Sequence, residues 1–123
     1  MQRKIRYKFY DRKRKKLFDV LVIDWMRGLV TGSHLGEMDV FIIEQGDLLL
    51  NTGRKDKYKN EIYDKDILFE HDGLDGKKLE VYWDIKLSGF RCRRGDYTCP
   101  IPESRNIEII GNMNERSDLL TDE

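Results

Sequence analysis

Lys78-Leu79-Glu80-Val81-Tyr82-Trp83-Asp84 alternates strictly, with Leu79, Val81 and Trp83 on one side and Lys78, Glu80, Tyr82 and Asp84 on the other. A period of two is that of a strand with one face in a core and the other partly wet. Just ahead, Asp72-Gly73 and Asp75-Gly76 supply positive-φ residues for a hairpin. Residues 67–70, 87–92 and 107–110 are also of strand length, each bounded by Gly, Asp or Pro. The N-terminal half repeats the pattern. Ile5, Tyr7 and Phe9 alternate with Lys4, Arg6 and Lys8, and residues 17–24 carry Val20, Val22 and Ile23, which favour strand over helix.

Between these two segments, residues 11–16 form a charge run of hairpin-loop length. Further on, Leu29-Val30-Thr31 reads as a short strand and Ser33-His34-Leu35 as a turn. The apolar runs 40–44 and 48–51 flank Gln45-Gly46-Asp47, a signal for a tight reversal or a bulge, and residues 52–60 are polar enough for an exposed loop. No segment keeps a helical period beyond two turns. Short strands with frequent turns predict a mainly β, antiparallel protein with little helix. The expected division is an N-terminal antiparallel region at 1–53, a small barrel-like region at 54–112 sharing its core, and an acidic tail at 113–123, fraying or forming one helical turn.

Composition narrows the function. With 123 residues, 39% hydrophobic and 37% charged, the chain is one small domain's worth of material that can bury a core without disulfides or metal. No apolar run approaches the roughly 20 residues needed to cross a bilayer, so no membrane partner is expected. The basic start lacks the apolar run of about 7–15 residues of a secretory signal, which makes the cytoplasm the expected location. There Cys92 and Cys99 read as two thiols rather than a bridge. His34 and His71 lack a zinc spacing, and no cofactor is expected.

Zero net charge conceals an asymmetry. Residues 1–16 carry nine bases and one acid, a net of +8, leaving 14 bases and 22 acids, or −8, in the remainder. Lys4, Arg6, Lys8, Arg12, Lys13, Arg14, Lys15 and Lys16 therefore form the candidate nucleic-acid-binding set. The same asymmetry is met equally well by the basic end lying against the acidic remainder, in this chain or in a second copy, so a homo-oligomer enters as a partner.

One family resemblance spans beginning, middle and end. The stretch 51–67, Asn-Thr-Gly-Arg-Lys-Asp-Lys-Tyr-Lys-Asn-Glu-Ile-Tyr-Asp-Lys-Asp-Ile, resembles the signature of the YopX family, small proteins of bacteriophages and prophages. Ile5-Arg6-Tyr7-Lys8-Phe9-Tyr10-Asp11 and Ile110-Gly111-Asn112-Met113-Asn114-Glu115 with Leu119-Leu120 resemble its opening and close. The resemblance implies a phage accessory protein without an established activity, and it carries over no catalytic residue. Two departures bear on folding: Tyr58-Lys59 stands where the family has Asn-Gly, and Asp64-Lys65 where it has Glu-Gly. A left-handed non-glycine costs roughly 1–2 kcal/mol, so the first turn is expected to be built differently and the second to survive. By analogy, the element from Glu61 to Ile67 followed by short strands is similar to the entrance of an SH3-like barrel.

Other constellations are bland. His71-Asp72 precedes a glycine in a turn, Ser33-His34 lacks a third orienting group, and Asp64 and Asp66 serve a loop backbone. Arg94-Gly95-Asp96 reads as a turn, and Gly28, Gly32 and Gly36 lack the Lys-Ser/Thr ending of a phosphate loop. The chain therefore reads as a non-enzymatic module that binds a host or phage protein in the bacterial cytoplasm. The alternative is nucleic-acid binding through the basic N-terminal strand and loop.

Overall fold

The computed structural model describes residues 6–72 and 75–121. Lys4 and residues 73–74, where a hairpin turn is expected, lie outside the described residues. Eleven strands follow in order: β1 Tyr7–Asp11, β2 Lys16–Asp24, β3 Leu29–His34, β4 Glu37–Ile42, β5 Gly46–Lys55, β6 Glu61–Tyr63, β7 Asp66–Asp72, β8 Asp75–Asp84, β9 Gly89–Arg94, β10 Tyr97–Cys99 and β11 Ile107–Asn112. Two helical turns, α1 Met113–Arg116 and α2 Asp118–Thr121, follow. Every recorded ladder is antiparallel, so the protein is mainly β with little helix, as the alternation predicts.

The chain divides into two compact units, residues 1–51 and 52–123. In the first, the sheet order is β4-β3-β2-β1-β5, with β5 running on past Asn51 to pair with β6; in the second it is β10-β9-β8-β7-β11. The two units repeat one topology. In each, four strands meander and a fifth returns beside the first, with a 3-10 turn before it, Ile43–Gln45 in one and Ser104–Asn106 in the other. The second hairpin of each meander also has the same construction. Asp24 Oδ1 accepts from the Arg27 N–H at 3.1 Å and Gly28 closes the loop at φ 68°; Asp84 Oδ1 accepts from Leu87 at 3.2 Å and Ser88 closes it at φ 52°.

Each unit has its own core. In the first, Phe9, Phe18, Val30 and Phe41 are buried, with Phe18 and Phe41 ring centres 4.6 Å apart. Gly32 sits between them, because a Cβ there would come within 2.9 Å of the Phe18 Cβ. In the second, Leu68, Leu79, Val81, Cys92, Ile101 and Ile107 are buried together. Gly32 pairs with Val20, and Cys92 pairs with Val81. The ladder positions therefore match: large rings surround a glycine in one unit, and smaller aliphatic side chains surround a cysteine in the other.

Several expectations are corrected. The C-terminal sheet is open, ending at β10 and β11, so the expected SH3-like barrel closure is not found. Pro100 and Pro102 follow β10 directly and carry no N–H with which to extend its ladder. Ser33 and His34 belong to β3, and the turn falls at Leu35 and Gly36, both at positive φ. β4 and β5 do not meet at a tight reversal; β5 pairs with β1. Thr52 to Lys55 continue β5, so the exposed loop is shorter than 52–60. Gly76 already lies within β8 opposite His71.

Candidate interaction surfaces

The residues of the 51–67 signature build a backbone staple. Asp56 is 3% exposed, and its Oδ1 accepts from the Tyr58 and Asn60 N–H groups, each at 2.9 Å. Its Oδ2 accepts from Ile109 N–H on β11 at 3.1 Å. Burial acts to raise its pKa, but the N–H groups of Ile109, Asn60 and Tyr58 outweigh it and hold the carboxyl below its ordinary value. Between Asp56 and Asn60 only Lys59 is left-handed, at φ 67°, and its N–H closes the turn on the Asp56 carbonyl at 3.0 Å. One left-handed residue replaces the two of a type I′ turn, which is how Tyr58-Lys59 can stand where glycine is usual.

Asp66 does comparable work. Its Oδ2 accepts from Tyr63 N–H at 2.7 Å and its Oδ1 from Asn112 Nδ2 at 3.0 Å, across the tight turn where Lys65 sits at φ 66°. Asn112 in turn caps α1 by accepting from Asn114 N–H at 3.0 Å. Asp64 is the exception: burial raises its pKa, with neighbouring Lys65 acting in the opposite direction. The middle and closing parts of the signature thus meet in space as fold-holding hydrogen bonds.

The N-terminal cations are placed on β1 and its loop. Arg12 bonds Asp47 at 2.8 Å, the Gly46 carbonyl at 3.1 Å and the Glu44 carbonyl. Arg14 pairs with Asp39 at 2.8 Å, lies 3.6 Å from Asp11, and has its guanidinium over the Phe41 ring. Two of the five loop cations are thereby held by acids of their own unit, while Lys13, Lys15 and Lys16 point into solvent. Arg6 is exposed and Lys8 half-buried, the latter opposite Asp19 and Leu49.

The outer face of β2, β3 and β4 was not anticipated from composition or spacing. Met38, Val40 and Ile42 alternate with core-facing Phe41 along β4, and they stand 68%, 56% and 47% exposed. Val40 pairs with Thr31, which pairs with Val22, at 58% exposure. A bulge between Val20 and Val22 turns Leu21 out as well. Asp19, paired with Ser33, and Asp24, paired with Leu29, stand on this same face, whereas Glu37 and Asp39 lie on the Phe41 side of β4. The Val40 N–H donates to the adjacent Asp39 carboxylate at 2.8 Å, so that edge amide is already taken. This bond, followed by that from Arg14, lowers the Asp39 pKa.

Comparisons agree with the geometry. No curated protein matches the chain. The crystal structure of protein EF1440 from Enterococcus faecalis is similar in fold, with a TM-score of 0.68 and 18% identity, covering 97% of this chain and 99% of that one. The profile of the family described as "YopX protein" matches residues 9–121, from β1 through α2. The chain belongs to the YopX family.

Proposed function

We propose that this chain is a phage or prophage accessory protein that acts without catalysis, by binding another protein through the outer face of β2, β3 and β4. The observation that supports this reading is the strip of Leu21, Val22, Met38, Val40 and Ile42, each close to half exposed or more. Together they present about 500 Å² of apolar surface, the size at which a patch on a soluble protein is often functional. Such a strip can form the centre of a standard interface of about 800 Å² per partner.

Two carboxylates on the same face bear on the partner's chemistry. Asp19 and Asp24, at the two ends of the strip, favour a protein with an apolar centre and Lys or Arg at its margin. With Val40's amide occupied, the partner packs on the face instead of adding a strand.

The test places a photo-crosslinking amino acid at Val40 in cells of the bacterial host, with a control at exposed Glu103. A specific adduct at Val40, whose purified partner loses affinity about tenfold to the V22D/V40D variant and also weakens at high salt, supports the reading. Absence of a Val40-specific adduct overturns it. So does an adduct that is a second copy of this chain, or one that is nucleic acid.

A further inference from the structure

The chain has two cysteines, Cys92 and Cys99, and the strand register sets them directly opposite each other, one on β9 and one on the edge strand β10. Opposed residues of an antiparallel pair share a face and have Cα atoms about 4.5–5.5 Å apart, inside the roughly 4.4–6.8 Å that a disulfide spans. Both are free thiols. Cys92 is fully buried beside Val81, and half-buried Cys99 packs against the same core. The position of Cys99 is set from both ends. The turn at Gly95-Asp96, with Gly95 at φ 57°, leads into β10. Beyond β10, Arg54 donates to the Ile101 and Pro102 carbonyls at 3.3 and 2.7 Å, and Ile101 enters the core.

We propose that Cys92 and Cys99 form a reversible disulfide clamp between β9 and β10, closed by exchange with a low-molecular-weight disulfide, RSSR. The Cys99 thiolate attacks one sulfur of RSSR, forming a mixed disulfide on Cys99 and releasing the first RS⁻. The Cys92 thiolate then attacks the Cys99 sulfur. The Cys92–Cys99 bond forms, the bond to the R-bearing sulfur breaks, and the second RS⁻ leaves. The two protons given up by the cysteines end on the two RSH molecules. The protein thiols lose two electrons and RSSR gains them; a dithiol reductant runs the sequence backwards. Exposure fixes the order of attack, because Cys99 is the sulfur a reagent reaches and Cys92, fully covered, faces Cys99.

Burial holds both thiols above their ordinary pKa, so thiolate is scarce near neutral pH and closure takes hours, far longer than the labelling of an exposed thiol. The closed bridge is uncharged. The aliphatic surroundings that disfavour a thiolate, Val81 and Ile101 among them, therefore accept it. Its effect lies at the sheet edge. β10 is three residues long, has β9 as its one neighbour in the sheet, and ends at Pro100. Cys92–Cys99 is the last rung of that ladder, so a covalent bond there keeps the short edge strand from fraying whenever the thiol–disulfide balance turns oxidising. This inference is independent of the protein-binding face, which lies in the other unit.

The test incubates the full folded chain for a day in mixtures of oxidised and reduced glutathione at about pH 8, then reads its intact mass and the thiols still open to alkylation. The chain should lose the mass of two hydrogen atoms, carry no glutathione, keep its far-ultraviolet dichroism, and regain both thiols with dithiothreitol. Amide exchange at residues 97–99 should be slower in the closed form than in the reduced one. Cys92→Ala should stop at a stable glutathione adduct on Cys99, and folded Cys99→Ala should take up none. Should Cys92→Ala disturb the core, the adduct trapped by acid early in the reaction of the unaltered chain serves in its place. The proposal is overturned by any of four results: a mixed disulfide that persists on Cys99 of the unaltered chain, a bridge that forms only in urea, a bridge that joins two chains, or both thiols intact after the full incubation.

Discussion

Replacing Asp56 tests whether the family signature serves the fold. The carboxylate accepts three backbone N–H groups and is almost fully buried. In Asp56→Ala all three lose their partner, but Tyr58 and Asn60 lie in an exposed turn, where water can replace it. The Ile109 amide is half-buried on β11 and has less access to water. Leaving a buried donor unsatisfied costs about 1–3 kcal/mol, and losing two charge-assisted bonds that water partly restores adds about 1 kcal/mol, so the expected loss is about 3 kcal/mol. Asp56→Asn keeps one acceptor oxygen and should lose about half as much.

Against a total of roughly 5–15 kcal/mol, a loss of that size shifts a urea midpoint well outside error. The pH dependence has a defined sign. Because the folded pKa of Asp56 lies below its unfolded value, its stabilisation is present above about pH 4 and lost as pH falls through the lowered folded pKa. The gap between wild type and Asp56→Asn should therefore shrink in acid. Losses below about 0.5 kcal/mol for both variants, or a gap that widens in acid, would refute the staple.

Other outcomes follow from packing and exposure. Gly32→Val should cost about 1–3 kcal/mol in chemical denaturation, because its side chain would meet Phe18 and Phe41 with no space to enter. V22D/V40D should change stability by less than about 1 kcal/mol, since both side chains face solvent, and a larger loss would show that the strip is part of a core. Burial pushes the Cys92 thiol up to about 12, so an aromatic disulfide reagent near pH 8 should modify it only after denaturant is added. Removing the half-exposed Arg14–Asp39 pair by Arg14→Ala should barely move the urea midpoint, because solvent screens the pair.

The alternating segments were the legible part of the fold, because a strand with one buried face writes its period into the sequence, as at Leu79 and Val81; Trp83, expected on the same core face, stands 48% exposed against the Phe90 ring. Turn positions were less readable. Leu35 adopts φ 51°, which local propensity does not anticipate, and the β3–β4 turn consequently sits beyond Ser33-His34. Gly46, read as a reversal, opens β5 and leaves room for the Phe9 ring. The duplicated topology left almost no trace, since matched core positions exchange size: Phe18 faces Gly32 where Leu79 accompanies Cys92.

The surfaces were harder still. The cationic N-terminus was visible as composition, but the acids that hold Arg12 and Arg14, Asp47 and Asp39, lie far along the chain and reach them only through the strand order. Val40 and Phe41 are equally apolar as letters; register alone turns one outward and the other into the core.

Hydrogen exchange on the purified complex with the crosslinked partner tests the central claim most directly. Added protection confined to the amides of residues 21–22, 29–31 and 38–42, with the turn at 56–60 unchanged, is the predicted result. Protection centred instead on residues 12–16, or on the Asp56 and Asp66 turns, would contradict it.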